Sequence, residues 1–203
     1  FPYLKAKGWH GWTDGAASGV YRAAPLARLN VAEGMSTPLA DEQYRRMMET
    51  LGGRPVHHTL AYHWARVIEL LNAAEAAYEL ARDPEITDPN IRTIPTETPT
   101  EGVGVVEAPR GILFHHYATD SSGIVEDVNL IVGTTNNHAA IDMSIRKAAK
   151  KLIEGNGSLS QGVLNMIEMA FRAYDPCFGC ATHHLPGQMP LDVTLRDSRG
   201  AVI

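Results

Sequence analysis

The residues best equipped for chemistry lie in one short run, Tyr174-Asp175-Pro176-Cys177-Phe178-Gly179-Cys180-Ala181-Thr182-His183. It contains both cysteines of the chain, three positions apart, with Pro176 and Gly179 favouring a tight turn. Such a turn can aim two sulfurs at one point. Thiolates are soft donors suited to nickel, iron, zinc or copper(I). Several chemistries compete for this pair. A structural zinc site needs four ligands, and His183 can supply a third, but no second cysteine pair is present. A thioredoxin-like redox pair opens a helix after a strand, whereas here the pair follows a predicted helix and a proline. Haem attachment requires histidine directly after the second cysteine, where Ala181 stands. The plainest reading is two unmetallated thiols in a turn. The motif by itself does not choose among these.

Composition narrows the function classes. The chain has 203 residues, 44% hydrophobic and 20% charged, which is enough for one full core or one half of a larger subunit. Its 18 Lys and Arg face 23 Asp and Glu, a net charge of -5 without a basic block. Nothing in that balance would draw nucleic-acid or lipid phosphates. No run of 18 apolar residues exists, so no membrane span is expected. Two cysteines are too few for a secreted disulfide scaffold, which points to a reducing, cytoplasmic location. Phe1 in place of a methionine reads as a start inside a longer protein.

The elements that must position the motif follow from periodicity and punctuation. Residues 1–34 have no sustained period, and Gly8-Trp9-His10-Gly11-Trp12-Thr13-Asp14-Gly15 reads as loop and turn. Thr37 is the expected N-cap of a helix starting at Pro38, with Asp41 and Glu42 in its first turn and Gly52-Gly53 at its end. A longer helix is predicted from His57 to Arg82, with Leu60, Trp64, Val67, Leu71, Ala74 and Tyr78 as its apolar stripe and Asp83-Pro84 as its stop. Residues 83–102, with four prolines, form an extended connector lying across another surface. Val103–Glu107, Gly111–Tyr117 and Ile124–Val132 are strand-like and imply an antiparallel hairpin. Two more helices are predicted near 138–154 and 159–173, the second capped by Ser158 or Ser160. A short strand, 191–195, and a turn at Asp197-Ser198-Arg199-Gly200 complete the chain. The predicted fold class is α+β, mainly α: long packed helices with a small antiparallel sheet.

The cysteine motif does not stand alone. Asp175-Pro176-Cys177, Cys180 and His183 resemble the C-terminal Asp-Pro-Cys-x-x-Cys-x-x-His signature of nickel–iron hydrogenase large, catalytic subunits. Glu107-Ala108-Pro109-Arg110-Gly111 is similar to that family's Glu-Ala-Pro-Arg-Gly segment. Val128-Asn129-Leu130-Ile131-Val132-Gly133-Thr134-Thr135-Asn136-Asn137 resembles its segment lining the diatomic ligands on iron. Tyr21-Arg22 and Pro25-Leu26-Ala27-Arg28-Leu29-Asn30 resemble a further stretch. The wording is closest to the cytoplasmic, multi-subunit branch.

The resemblance implies a hydrogenase large-subunit fold and reversible heterolytic cleavage of dihydrogen at a Ni–Fe(CN)2(CO) centre, with electrons passed to an iron–sulfur small subunit. Cys177 would be a terminal nickel ligand and Cys180 a nickel–iron bridge. Arg110 would hang over the open metal position, with Asp175 its acidic neighbour and Pro109 its wall. A guanidinium is hard to deprotonate, so positioning ranks above proton abstraction for Arg110 and a terminal thiolate would take the proton. Thr134 would donate a hydrogen bond to a cyanide. His183 would lie beside a structural Mg2+, an ion that prefers oxygen ligands. His115 reads as part of a hydrogen-bond network near the Pro-Arg-Gly segment, while His57, His58, His63 and His116 read as ordinary.

Two departures set further expectations. The family's other Cys-x-x-Cys pair is absent, so the chain should be inactive alone and need the N-terminal half of the large subunit. Residues 1–183 then form the C-terminal portion, and 184–203 an extension that a maturation protease removes after His183, leaving the uncut chain precursor-like and metal-free. The competing reading is a non-catalytic, hydrogenase-like scaffold subunit of a redox complex.

Overall fold

The computed structural model describes residues 2–156, 160–182, 194 and 196–202. Helices α1 (Pro25–Val31), α2 (Pro38–Thr50) and α3 (Ala61–Leu80) precede a sheet, and α4 (His138–Asn156), α5 (Gln161–Arg172) and α6 (Phe178–Thr182) follow it. Strands β1 (Glu101–Ala108), β2 (Gly111–Thr119) and β3 (Val125–Ile131) form an antiparallel sheet in the order β1-β2-β3. The fold class is the α+β, mainly helical one expected. The core joins Leu26 and Leu29 of α1, Tyr44 and Met47 of α2, Ile68 of α3 and Ile141 of α4 to Tyr174.

The α2, α4 and α5 boundaries fall within a few residues of expectation, and Ser160 Oγ accepts the Val163 N–H at 3.2 Å as a cap should. Other expectations are corrected. Thr37 has the extended backbone of an N-cap, but its side chain does not cap α2. Its hydroxyl instead donates to Glu75 Oε2 at 2.7 Å. The Glu75 carboxylate, from α3, accepts the free N–H groups of Leu39 (3.2 Å) and Ala40 (3.0 Å). A carboxylate at the positive end of the helix replaces the local cap.

Helix α3 is shorter than expected and turns a different face inward. Ala61, Tyr62, Ala65 and Ile68 are buried, with Trp64 and Leu71 partly buried beside them. Leu60, Val67 and Tyr78 are more than half exposed. The expected stripe followed side-chain size. The core instead takes a face bearing Ala61 and Ala65, whose small side chains allow neighbouring segments to approach closely. Helix α1 lies in the stretch 1–34, where no sustained period announced a helix. It begins after Ala24, whose φ of 80° is rare for a residue with a Cβ.

The sheet is held at one end. Strand β1 is exposed along nearly its whole length, whereas Gly111 is buried. Pairing of Ala108 with Gly111 leaves Pro109 and Arg110 as a two-residue turn. This tip presses on the backbone after β3: a Cβ on Gly111 would lie 2.5 Å from the Gly133 carbonyl oxygen. The Asn136 side-chain amide donates to the Ile112 carbonyl at 2.7 Å, and its oxygen accepts from the Tyr21 hydroxyl. The connector after α3 makes one 3-10 turn, Pro84–Thr87, then runs exposed to β1.

The α2 cap has a pH signature. Partial burial would raise the Glu75 pKa, but the donors Thr37, Ala40 and Leu39 outweigh it and hold the group below the usual carboxylate range. A depressed folded-state pKa contributes stability above the unfolded value and loses it as pH falls through the folded value. Urea titrations should therefore show Glu75→Gln less stable than the native protein near neutral pH, with the gap closing through the acidic carboxylate range.

Candidate metal centre

Three segments meet at the sulfur pair: the Pro109-Arg110 turn, the 3-10 turn Gly133–Asn137, and residues 173–182. The last is anchored by Tyr174, which is 2% exposed. Its ring lies 4.7 Å from that of Tyr62 on α3, and its hydroxyl is 2.9 Å from Ser144 Oγ on α4. The chain then reverses through Asp175, at φ 52°, and Pro176. Cys177 immediately precedes α6 and Cys180 lies within its first turn, where a three-residue spacing puts both on one side. The Ala181 N–H donates to the Cys177 carbonyl at 3.1 Å.

Both thiols are free; Cys177 is partly exposed and Cys180 exposed. The two side chains are close enough to interact. The Cys180 thiol, then the Cys180 backbone, lowers the Cys177 pKa, and the same thiol contact raises that of Cys180. The positive charge of Arg110 favours the thiolate at both positions.

Arg110 is oriented from below. Its Nε donates to the Asp175 carbonyl at 3.0 Å and lies 3.1 Å from Asp175 Oδ2. Arg66 of α3 approaches the same carboxylate oxygen at 3.9 Å and donates through Nη2 to the Ala173 carbonyl at 3.0 Å. Burial lowers the Arg66 pKa, with the Asp175 charge opposing that shift. Thr134, 3% exposed, accepts the Cys177 N–H at 3.0 Å through its hydroxyl oxygen. That leaves its own hydroxyl proton available to donate. Thr135 Oγ1 donates to the Ala181 carbonyl at 3.3 Å. Pro109 is exposed at the hairpin tip.

The structure thus brings Pro109, Arg110, Thr134, Asp175, Cys177 and Cys180 to one place. His183 and the expected strand 191–195 fall outside the described residues, Thr194 apart. Among the described residues no cluster of three or more His, Cys, Asp or Glu could hold a metal. Two converging thiols fit one edge of a soft-metal centre; a four-coordinate metal needs further donors from elsewhere. His115 Nδ1 lies 3.0 Å from the Tyr117 hydroxyl, and His116 lies 2.7 Å from Glu101 Oε1.

Sequence reasoning assigned no role to four residues that build the site. Arg28 binds the hairpin turn and Arg66 faces Asp175. Asn136 and Asn137 tie the turns together, Asn137 donating to the Arg110 carbonyl at 3.4 Å and accepting the Ala23 N–H at 2.8 Å. Arg28, Asn136 and Asn137 stood within family-like stretches, but nothing local revealed what they bind. Arg66 had no sequence signal.

A family model for nickel-dependent hydrogenase matches residues 14–183, and the chain belongs to that family. It is 52% identical to an iron-sulfur subunit of the F420-non-reducing hydrogenase of Archaeoglobus profundus, over all of this chain and 41% of that protein. It is 44% identical to the beta subunit of the NAD-reducing hydrogenase HoxS of Cupriavidus necator, over all of this chain and 40% of that protein. A crystal structure of an NAD+-reducing nickel–iron hydrogenase in the H2-reduced state superposes with a TM-score of 0.81 at 40% identity, covering 89% of this chain and 38% of that one. The chain therefore spans about two fifths of the length of these relatives. Among the described residues no helix is long and apolar enough to cross a membrane.

The Thr134 contact is directly measurable. Thr134→Val keeps the side-chain shape but leaves the Cys177 amide without its acceptor, at a cost of about 1–3 kcal/mol. Hydrogen exchange at the Cys177 amide should accelerate in Thr134→Val and return toward native in Thr134→Ser.

Proposed function

We propose that this chain is the C-terminal part of the large, catalytic subunit of a nickel–iron hydrogenase, working in the reversible heterolytic cleavage of dihydrogen. The observation that carries the reading is the placement of Arg110 between the Asp175 carboxylate and a convergent thiol pair, in a member of the nickel-dependent hydrogenase family. Cys177 and Cys180 would hold the nickel–iron centre through their sulfurs, Cys177 as a terminal ligand and Cys180 as a shared one. The remaining two sulfurs would come from the N-terminal half of the large subunit. When bound, the centre supplies a Lewis acid that polarises dihydrogen.

The chain's own residues divide the remaining work. The Cys177 thiolate would take the proton, beside the Arg110 charge that favours its deprotonated form. Arg110 supplies a fixed positive charge over the site, since a guanidinium in contact with a carboxylate is a poor proton acceptor. Asp175 fixes the direction of that guanidinium, and Pro109 walls the same side. The Thr134 hydroxyl, which accepts the Cys177 amide, would be free to donate its own proton to a cyanide of the bound centre. His183 would stand beside a structural Mg2+. Electrons leave through an iron–sulfur small subunit, and the complex works in the cytoplasm.

Residues 184–203 are, on this reading, an extension removed by a maturation protease; the family model matches as far as residue 183. Intact mass of the mature enzyme should place the new C-terminus at His183, and stoichiometric nickel in a chain uncut at that bond would contradict the removal.

The ligand role is tested in the assembled enzyme. Cys180→Ser should lower bound nickel and cut hydrogen-dependent viologen reduction by at least about 100-fold. Activity equal to the native enzyme would overturn the metal assignment and favour a scaffold role.

A further inference from the structure

We propose that Arg28 is the positioning residue for Arg110: its guanidinium fixes the backbone turn from which Arg110 reaches over the sulfur pair. The proposal deepens the reading above and rests on Arg110 acting at that site. Arg28 lies on α1, 82 residues from Arg110 in sequence, and its side chain is 21% exposed.

All five of its N–H donors have partners. Nε and Nη2 form a bidentate pair with Glu69 of α3, at 2.6 and 2.7 Å. Nη1 donates to Glu107 Oε2 at 2.9 Å, to the Ala108 carbonyl at 2.8 Å and, more weakly, to the Gly111 carbonyl at 3.4 Å. Nη2 also donates to the Pro109 carbonyl at 3.2 Å. Carbonyls on both sides of Arg110 thus converge on one planar cation. The fork geometry is specific to arginine, because lysine offers three donors from a single point.

The opposite side of the turn is held by Asn137 on the Arg110 carbonyl and Asn136 on the Ile112 carbonyl. Strand β1 beyond the tip is exposed, so it contributes little packing to hold Arg110. Helix α3 completes the device. Glu69, which grips Arg28, lies one helical turn from Arg66, which faces Asp175. One helix therefore references both the turn that carries Arg110 and the carboxylate that Arg110 meets.

The test uses the assembled holoenzyme with Arg28→Lys, Arg110→Lys and the double variant. Glu107→Gln, which removes the negative charge of one exposed partner of Arg28, serves as a milder change should Arg28→Lys fail to assemble. In Arg28→Lys, amide exchange at Arg110, Gly111 and Ile112 should rise about tenfold while exchange in α2 and α5 stays native, as expected for local opening. Nickel content and the KM for dihydrogen should hold, and kcat should fall about 10- to 100-fold, the scale of a misplacement near 1 Å. Glu107→Gln should move the same amides less. The double variant should be no slower than Arg110→Lys alone, because Arg28 acts only through Arg110. Native exchange at the turn in Arg28→Lys or, if that variant does not assemble, in Glu107→Gln would overturn the proposal. Losses that multiply in the double variant would overturn it too. If the native enzyme lacks nickel, the metal-centre reading fails, while the exchange result still decides whether Arg28 holds the turn.

Discussion

The contact between Arg110 and Asp175 closes the site, joining a hairpin tip to a cysteine motif 65 residues further on. Both side chains are nearly half exposed. An ion pair in such a setting contributes about 1 kcal/mol or less. It cannot hold two segments together by its own strength. The geometry must come from backbones already fixed on either side, and each side has its own anchor. Arg28, Asn136 and Asn137 hold the turn, while Tyr174 and Arg66 hold the approach to Asp175. The pair records the positions of two rigid parts more than it creates them.

The same logic applies to the sulfurs. Helix α6 has five residues, too few to be stable by propensity alone. Its start is fixed because the Cys177 amide donates to a buried threonine, and its further end because Thr135 reaches the Ala181 carbonyl. Adjacent residues of one 3-10 turn thus clamp both ends of the cysteine segment. The two thiols and the Arg110 charge thus meet at one place, and a soft cation bound there would displace both thiol protons.

Much apolar surface remains outside the core. Val67 and Leu70 on α3, Val103 and Val105 on β1, and Ile91 in the connector are all more than half exposed. On the reading proposed, the small subunit and the rest of the large one lie against surfaces of this kind, in keeping with a chain two fifths the length of its relatives. The sheet makes sense in that setting: its tip serves the site while its body is free to meet other polypeptide.

Much was legible in the chain of residues because it depends on neighbours in sequence. A three-residue spacing of cysteines beside Pro176 and Gly179 implies convergent sulfurs, the strand-like segments 103–107, 111–117 and 124–132 imply an antiparallel hairpin, and a serine at 158 or 160 announces a helix cap. Tertiary structure decided the rest. Thr37 looks like a cap until Glu75, 38 residues away, supplies a better acceptor set. The large residues Leu60 and Val67 look like a core stripe until the helix turns its alanine face inward. Arg28 and Arg66 carry no local mark of their roles, because a guanidinium's partners are chosen by which carbonyls and carboxylates the fold delivers within 3–4 Å of it. Local rules act through short-range sterics and backbone hydrogen bonds, and those can be read in order along the chain. The positioning of this site rests on contacts between segments far apart in sequence, and only packing brings those segments together.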